Sequence, residues 1–488
     1  MTMPNKKKVV VAGASGFIGQ ALPAVLGQDY ELVGLSREPR ETSGGASGAG
    51  YRWRRGDLFS RKQTDEALEG ANLAVYLVHS MHPSARLTQG EVGDLDLVCA
   101  DNFARAARRH KLEHIVYVSG IVPRGEEDIS EYLASRLEVE QTLQSYGTPV
   151  TTLRAALVIG AGGNGTEMIL RLVDRLPAML LPGWTDSQMA PIARSDMAEL
   201  VGYVLGRTEL AGDSYDVGGP DVVTFREMLE ITADLTGRRV RLSSIGLVAP
   251  ALSSAWVTLW SRQPKEVVRP LIESLRHDLL PADRRLQEAA GQRPVPVREA
   301  LRCALAENAN LEESGEAIAD ETSTELVEPP DANDTRAVHR LELPVGRDAG
   351  WIADEYGRWL PSLLRPFLKV ERDHEASLSF YFRPLPWPLL VLELDESVSA
   401  DERQLYWIRG GVLSRRHKRA RLEFREVLGG RKVLAAIHEF HPRLPWPVYL
   451  GTQAKIHHFV MGAFDRHLKR ISRRQRQIEA SPSDSEAT

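Results

Sequence analysis

Cysteine, long apolar runs and excess positive charge are all scarce in this chain of 488 residues. Its two cysteines, Cys99 and Cys303, are too few for a disulfide framework or a zinc site, and each lies in an apolar helical pattern that predicts a small core residue. No window approaches the ~18 apolar residues of a membrane span, and the apolar run after the basic start is too short for a signal peptide. The net charge of −5 argues against a general attraction to nucleic acid. These absences predict a cytoplasmic protein with no transmembrane segment and no nucleic-acid partner.

Residues 8 to about 220 alternate short apolar segments with helical patterns. Five of the segments are rich in β-branched residues and apolar on both faces, as buried parallel strands are. These segments are 8–13, 31–37, 72–80, 114–120 and 150–160. Helical patterns at 87–109 and 127–146 lie between them. The alternation predicts an α/β fold with a doubly wound parallel Rossmann sheet that is covered by helices on both sides.

The pattern from 221 to 305 is mainly helical, and "TFRE" at 224–227 is typical of a capping box that opens a helix to about Leu235. We therefore assign residues 1–305 to one Rossmann domain, with a small helical substrate region from about residue 160. Residues 306–336 are strongly acidic and contain no aromatic residue, so they cannot bury enough apolar surface to fold. This segment is predicted to be a disordered linker.

Residues 337–471 form a second region, rich in Trp, Phe and Tyr. Strand patterns occur at 377–385 and 389–397, and two more, at 421–427 and 432–440, flank a Gly429–Gly430 turn that is typical of a hairpin. A final helix over about 453–471 carries one apolar stripe. The stripe consists of Ile456, Phe459, Val460, Ala463, Phe464, Leu468 and Ile471. We predict a separate α+β domain with an antiparallel sheet and a long helix, then a disordered tail at 472–488.

The sequence "GASGFIG" at 13–19 follows the first strand. Gly13 permits a tight turn, Gly16 lets the backbone approach a pyrophosphate, and Gly19 permits close packing of a helix on the strand. The helix that begins here would offer free N–H groups to the phosphates. We expect the dinucleotide to contact this turn, including Ser15, Phe17 and Ile18. The alternative is a glycine-rich turn without a ligand.

The end of the second strand indicates which dinucleotide is bound. A carboxylate there would bond the ribose 2′-hydroxyl of NAD, but the strand ends with Ser36 and Arg37, and Arg40 follows. A hydroxyl and a guanidinium suit a 2′-phosphate, because arginine binds phosphate with a bidentate fork. This favours NADP(H) over NAD(H). The alternative for Arg37 is an exposed loop charge.

Two further strand ends supply candidate contacts to the cofactor. In "GDL" at 56–58, Asp57 could accept a hydrogen bond from the adenine amino group while Leu58 packs on the ring; Asp57 could also cap the next helix. In "LVHS" at 77–80, Val78 and His79 would line the ribose and the pyrophosphate. His79 could act as a general base, but a structural hydrogen bond is the commoner role for such a residue. Its spacing from His82 does not indicate a metal site.

Together the motifs resemble the short-chain dehydrogenase/reductase superfamily, in its atypical branch, over about residues 8–300. The matching pieces are "VVVAGASGFIG", "GDL", "VYVSG" at 116–120, "YLASRLEVE" at 132–140, "LRAALVIG" at 153–160 and "YDVGGPDVVTFREML" at 215–229. The resemblance implies a catalytic Ser at Ser119 and a catalytic Tyr at Tyr132. Arg136 stands where that superfamily has Lys. The branch includes reductases, isomerases and proteins that bind NADP(H) without known turnover.

The resemblance implies that Tyr132 exchanges the substrate proton, that Ser119 polarises the substrate oxygen and that a cation activates Tyr132. A free tyrosine has a pKa of about 10, and a cation within ~4–6 Å lowers the pKa of a neighbouring acid by about 1–3 units. Arg136 can supply the charge, but its planar fork cannot copy the geometry of an ammonium. Three interpretations remain open: catalysis, cofactor contact without catalysis, or a solvated surface pair in which Arg136 meets Glu140.

The second region resembles, more weakly, the helix-grip folds that enclose lipophilic ligands, of the START or Bet v 1 type. The resemblance of the first region implies an NADP(H)-binding oxidoreductase acting on a carbonyl or alcohol. The substrate is predicted to be apolar, because Trp184, Trp256 and Trp260 follow the strand at 150–160. The alternative is a non-catalytic NADP(H)-binding sensor or assembly protein whose C-terminal domain binds a lipophilic ligand or a partner. The basic segment at 415–425 could contact an acidic partner or a membrane surface, but a solvated loop is the commoner role of such a segment.

Overall fold

The structure is a computed structural model. It describes residues 6–37, 40, 50–79, 87–90, 92–123, 129–244, 257–258, 265–314, 335–372, 377–383, 385–415 and 418–480. The chain divides into two compact units: Met1–His82 with Cys99–Glu325, and Pro83–Val98 with Leu326–Thr488. Among the helices in these ranges, none combines the length and the apolar character that crossing a membrane requires.

The first unit is built on a seven-stranded parallel sheet with the strand order β12-β7-β6-β4-β1-β2-β3. Its strands are β1 (Lys8–Ala12), β2 (Glu31–Ser36), β3 (Arg52–Arg55), β4 (Leu73–Tyr76), β6 (His114–Gly120), β7 (Val150–Ala155) and β12 (Ser214–Val217). Its helices are α1 (Leu22–Leu26), α2 (Arg61–Leu68), α3 (Val92–Arg109, whose first turns belong to the second unit), α4 (Glu131–Gln144) and α6 (Arg194–Val204). The order reverses between β1 and β4, which creates the crevice where such sheets bind ligands. The predicted doubly wound parallel sheet is confirmed.

The substrate region adds short strands and helices beyond the sheet. They are β8 (Val158–Ile159), β9 (Ala178–Leu181), β10 (Gln188–Met189), β11 (Ile192–Ala193), β13 (Val223–Thr224), β14 (Arg241–Ser244), α5 (Asn164–Arg175), α7 (Phe225–Leu235), α8 (Lys265–Ser274), α9 (Arg285–Ala289) and α10 (Val297–Ser314). The predicted capping box is present, because Thr224 accepts from the Glu227 amide and Glu227 accepts from the Thr224 amide. Trp256 and Trp260 lie outside the described residues.

The second unit contains seven antiparallel strands in the order β16-β17-β18-β19-β20-β21-β15, and β5 (Leu87–Gln89) joins β15 in parallel at the edge. The seven are β15 (Thr335–Glu342), β16 (Leu368–Arg372), β17 (Leu378–Phe382), β18 (Pro388–Leu394), β19 (Arg403–Gly410), β20 (Arg421–Val427) and β21 (Lys432–Phe440). Three helices accompany them: α11 (Ala349–Leu363), α12 (Trp446–Gly451) and α13 (Gln453–Ala480). The predicted hairpin between β20 and β21 is confirmed, with Gly429 and Gly430 both at positive φ.

Several predicted boundaries differ from the structure. The helix predicted at 87–109 begins only at Val92, because residues 87–89 pair with β15 in the second unit. The first part of the predicted linker, 306–314, continues α10, and its last residues, 335–336, begin β15; residues 315–334 lie outside the described part. The predicted tail also starts too early, because α13 runs to Ala480.

Two predictions about apolar residues are confirmed only in part. Cys303 is exposed, whereas Cys99 is buried. In the stripe predicted on α13, Phe464 and Leu468 are fully buried, but Ile456 and Phe459 are 60% and 57% exposed.

Candidate cofactor and active site

The glycine-rich turn lies directly after β1 at the centre of the parallel sheet. Gly13 has a φ of +87°, and its carbonyl accepts a hydrogen bond from the Gly16 amide at 3.0 Å. A Cβ on Gly19 would lie 2.3 Å from the Gly13 oxygen, so only glycine fits this position. The turn leads into a 3-10 turn at Gly19–Ala21 and then α1, rather than directly into an α-helix. The backbone therefore has the tight, side-chain-free form that a pyrophosphate requires.

The other residues of the turn lie half-buried around it. Ser15, Phe17 and Ile18 all have partial exposure. Phe17 fills the space next to two glycines of the substrate region, since a Cβ on Gly163 would lie 2.9 Å from the Phe17 ring. The guanidinium carbon of Arg194 lies 5.2 Å from the centroid of the same ring. Phe17 thus joins the glycine-rich turn to the substrate region.

The tips of β2 and β3 form a cationic corner. Ser36 pairs in register with Arg55, the last residue of β3, and both Arg37 and Arg55 are exposed. Arg40 lies with its guanidinium carbon 5.2 Å above the centroid of the Trp53 ring. Sequence reasoning missed Arg55, because its place beside Ser36 depends on the register of two parallel strands. The corner can hold a dianionic phosphate through charge-assisted hydrogen bonds.

Asp57 and Leu58 lie between β3 and α2. The Asp57 carboxylate accepts a hydrogen bond from the Phe59 amide at 3.1 Å. Ser60, rather than Asp57, caps α2, since its hydroxyl accepts from the Gln63 amide. Leu58 is buried. The alternative role of Asp57 as the helix cap is therefore wrong, and the predicted adenine contact stays a prediction.

Val78 and His79 follow β4, which ends at Tyr76 rather than at residue 80. Both side chains are half-buried. The Leu77 amide donates to the Ala12 carbonyl at 2.9 Å, which keeps this segment beside the glycine-rich turn. Within the described ranges, no three potential metal ligands come together, here or elsewhere.

Ser119 lies near the carboxyl end of β6 and is 7% exposed. Its hydroxyl oxygen is buried and has no hydrogen-bond partner in the part of the chain that the structure describes. A buried hydroxyl without a partner costs free energy, so it is suited to bond a ligand group. This is the environment that a substrate-polarising serine needs.

Tyr132 and Arg136 lie on α4, next to β6. The guanidinium carbon of Arg136 lies 5.3 Å from the centroid of the Tyr132 ring, and Arg136 is only 3% exposed. Its backbone carbonyl accepts from the Tyr117 hydroxyl at 3.3 Å, which fixes the helix on the strand. Tyr132 is half-buried and packs against the apolar core of the substrate region.

The interpretation of this pair as a solvated surface feature is therefore wrong. The expected contact between Arg136 and Glu140 is replaced by another ion pair. Glu140 binds Arg154 of β7 in bidentate geometry, at 2.7 and 3.0 Å, and also accepts from the Ser214 hydroxyl. Glu140 is thus a structural residue, and Arg136 lies in the core beside Tyr132.

The apolar side of the site is formed by the substrate region. The centroid of the Trp184 ring lies 5.3 Å from that of Phe225, and both contribute to the cluster that contacts Tyr132. The indole nitrogen of Trp184 is buried without a hydrogen-bond partner among the described residues. This wall can accept an apolar substrate that carries one hydrogen-bond acceptor.

Comparison with known proteins finds similarity over the first unit. Residues 9–218 match the model of the NAD dependent epimerase/dehydratase family. The chain is 28% identical over 219 residues to the auxiliary protein GraX of Staphylococcus aureus, a match that covers 43% of this chain and 65% of GraX, just under two thirds of its length. It is 24% identical over 301 residues to the (4-alkanoyl-5-oxo-2,5-dihydrofuran-3-yl)methyl phosphate reductase of Streptomyces griseus, with 60% of this chain and 95% of the reductase covered.

A solved structure of Citrobacter sp. triphenylmethane reductase complexed with NADP(H) is 19% identical, with a TM-score of 0.48 over 61% of this chain and 99% of that chain. On the strength of the sheet order, the glycine-rich turn and the family match, residues 9–218 form a Rossmann domain similar to the NAD dependent epimerase/dehydratase family.

Proposed function

We propose that the first unit is an NADP(H)-dependent oxidoreductase of the atypical short-chain type, acting on an apolar carbonyl or alcohol. The observation that carries the proposal is the buried Ser119 hydroxyl, without a partner among the described residues, at the same strand end as the stacked pair of Tyr132 and Arg136. Ser36, Arg37 and Arg55 would bind the 2′-phosphate, and the glycine-rich turn would bind the pyrophosphate. The cofactor, when bound, supplies or accepts the hydride at its nicotinamide.

The chain's own residues would handle the proton and the substrate oxygen. Ser119 donates a hydrogen bond to the carbonyl oxygen, and Tyr132 delivers the proton as that oxygen gains charge. Arg136 stabilises the tyrosinate that remains, because a buried cation next to the ring favours the anionic form. Trp184 and Phe225 would hold the apolar part of the substrate.

The proposal is tested by NADPH oxidation with a panel of quinones, aldehydes and ketones. Tyr132→Phe is expected to lower kcat by about 100-fold or more, the usual contribution of a general acid, while the Kd for NADPH stays unchanged. Tyr203→Phe is the matched control. The guanidinium carbon of Arg207, four residues later, lies 4.2 Å from the centroid of the Tyr203 ring, but this pair lies outside the site. Unchanged turnover in Tyr132→Phe would contradict the role of Tyr132 as the proton donor, and absence of turnover in the unchanged chain would support the alternative hypothesis of a non-catalytic NADP(H)-binding protein.

Substitutions of Arg136 separate its charge from its geometry. Arg136→Lys restores the cation of the superfamily and should keep most of the activity, whereas Arg136→Met should retain a reduced but measurable activity. We expect the pH–rate profile of Arg136→Met to move to higher pH, because the tyrosinate loses its neighbouring cation. A profile that does not move in a folded Arg136→Met variant would remove Arg136 from the mechanism.

A second candidate function belongs to the second unit, for which we propose a helix-grip-like fold that binds a lipophilic ligand. A cavity of about 210 Å³ lies between its sheet and its helices, and aliphatic and aromatic side chains form most of the wall. The side-chain oxygen of Gln453, in this wall, is buried without a partner in the described part of the chain. The cavity therefore suits an apolar molecule with one hydroxyl or amide donor.

Solvent extraction of the purified full chain, followed by mass spectrometry, would identify such a ligand. Binding of an environment-sensitive fatty-acid fluorophore should weaken in Ile408→Trp, which fills the cavity, and remain in Val398→Trp, which lies outside it. Equal binding by a folded Ile408→Trp variant would contradict the assignment.

A further inference from the structure

At one end of the sheet in the second unit, the described connections carry no acidic residue. β15 also begins at this end, and the acidic residues that precede it in sequence, Glu328, Asp331 and Asp334, lie outside the described residues. The antiparallel order brings the segments 361–367, 383–387, 411–420 and 441–455 to this end, and their sequences contain no Asp or Glu. We call it the basic end. Its exposed cationic residues, among those described, are Arg365, Arg383, Arg415, Lys418, Arg419, Arg443 and Lys455.

The opposite end of the same sheet has the opposite charge. Its connections include Asp348, Asp395, Glu396, Asp401 and Glu402. Among the described residues, the connections at one end of the sheet are therefore mainly cationic, and those at the other end are mainly anionic despite Arg347 and Arg431, although the whole chain has a net charge of −5. Such a separation of charge orients a protein toward a negatively charged surface.

The connections at the basic end are held together by backbone hydrogen bonds. The Leu413 amide donates to the Leu389 carbonyl at 3.1 Å, and the Arg415 amide donates to the His441 carbonyl at 2.9 Å. Gly411 has a φ of +133°, and a Cβ there would lie 2.3 Å from the Leu389 oxygen. The connection 411–420 is thus bonded to the start of β18 and to the segment that follows β21, and its close contact with β18 depends on glycine.

The basic end exposes large apolar side chains. Trp387 is 63% exposed, and Phe367, Leu444 and Val448 are also exposed. Ile456 is exposed and at the same time lines the cavity, so the apolar surface continues into the cavity. Large exposed apolar patches on a soluble unit mark interaction sites.

We propose that the basic end docks onto the anionic surface of a phospholipid bilayer. Trp387 and the neighbouring aliphatic side chains would enter the interface, and the arginines and lysines would contact the headgroups. Tryptophan prefers the membrane interface, and long cationic side chains place their stems in the apolar zone and their charges among the headgroups. In this orientation, the side of the cavity that Ile456 lines would face the lipid.

A bilayer fits the surface better than a nucleic acid does. Single-stranded nucleic acids bind on aromatic side chains that stack with bases, whereas most of the exposed apolar residues here are aliphatic. Aliphatic side chains gain from burial in the acyl region. The inference is independent of both proposed functions, because a chain with no turnover and an empty cavity can still bind vesicles.

The test is co-sedimentation of the full chain with vesicles of phosphatidylcholine alone or mixed with phosphatidylglycerol. We expect binding only to the mixed vesicles, and weakening at high salt. Arg443→Gln should weaken the partition about fivefold, the factor for one cation near an anionic surface. Arg431→Gln at the other end of the sheet is the matched control and should bind like the unchanged chain.

Trp387→Ala tests the apolar contribution and should reduce the partition by about tenfold. Val345→Ala is its control, because Val345 is 59% exposed but lies outside the basic end. Absence of binding to the mixed vesicles would overturn the proposal. So would binding that is equal in all four variants, or binding of single-stranded RNA in preference to vesicles. Measured NADPH turnover has no bearing on either outcome.

Discussion

Substitution of Gly19 by alanine is the sharpest test of the backbone at the cofactor site. The new Cβ would lie 2.3 Å from the Gly13 oxygen and 2.7 Å from the Ala14 Cα, both of which are backbone atoms. A normal carbon–oxygen contact is about 3.3 Å or more, so the turn must move by about 1 Å. Overpacking of this kind costs about 1–3 kcal/mol, and we expect the upper part of that range because no side chain can rotate away.

The predicted consequences are a lower melting temperature, by roughly 3–5 °C for a unit of about 300 residues, and a weaker NADPH complex, by at least about tenfold. Differential scanning calorimetry and isothermal titration measure the two effects on the same sample. Gly183→Ala is the control, because a Cβ there meets no atom within 4 Å, and its stability should change by less than about 1 kcal/mol. The described turn would be refuted if the Gly19→Ala variant had the melting temperature of the unchanged chain and the same Kd for NADPH.

Three further predictions concern stability. Glu140→Gln leaves the half-buried Arg154 without a counter-charge and should lower the free energy of unfolding by about 1–3 kcal/mol in urea titrations. Burial lowers the pKa of His114 to about 4, so the unfolded chain takes up a proton there at a higher pH than the folded chain does. The free energy of unfolding should therefore fall as the pH drops from about 6.5 toward 4, by about 2 kcal/mol at pH 5, and His114→Gln should remove that part of the pH dependence. Thr224→Ala removes the capping box and should cost about 1 kcal/mol, whereas an unchanged midpoint would contradict the described cap.

Features that depend on local sequence were predictable. The capping box at Thr224, the hairpin at Gly429–Gly430 and the glycine-rich turn each arise from a few neighbouring residues whose backbone requirements are specific. The parallel strands were predictable because their segments are apolar on both faces, whereas a half-exposed strand alternates apolar and polar residues. These elements fixed the crevice where the cofactor site lies.

Features that depend on distant contacts were not predictable. The i, i+4 spacing of Tyr132 and Arg136 recurs in Tyr203 and Arg207, and both pairs stack. Arg136 is buried whereas Arg207 is exposed, so spacing alone does not reveal which pair belongs to a site. The same holds for Arg55, which reaches Ser36 only through the register of β2 with β3.

The second unit gives a further example of the same limit. Residues 87–89 have a helical pattern in their own neighbourhood, but they pair with β15, about 250 residues away in sequence. The apolar stripe on α13 predicted the helix correctly but not the exposure of its first members. Amphipathic spacing identifies a face, and only the partner surface decides how much of that face is covered.

NADP(H) binding at the cationic corner is the property on which the proposed function depends most directly. Isothermal titration of the full chain with NADPH and NADH should give a Kd for NADPH that is at least about tenfold lower, since one charge-assisted hydrogen bond contributes about 1.5–3 kcal/mol. Arg37→Ala and Arg55→Ala should each remove most of that preference without changing NADH binding. Arg52→Ala, at the other end of β3, should have no effect. Equal affinity for the two cofactors, or a preference that survives both substitutions, would contradict the account.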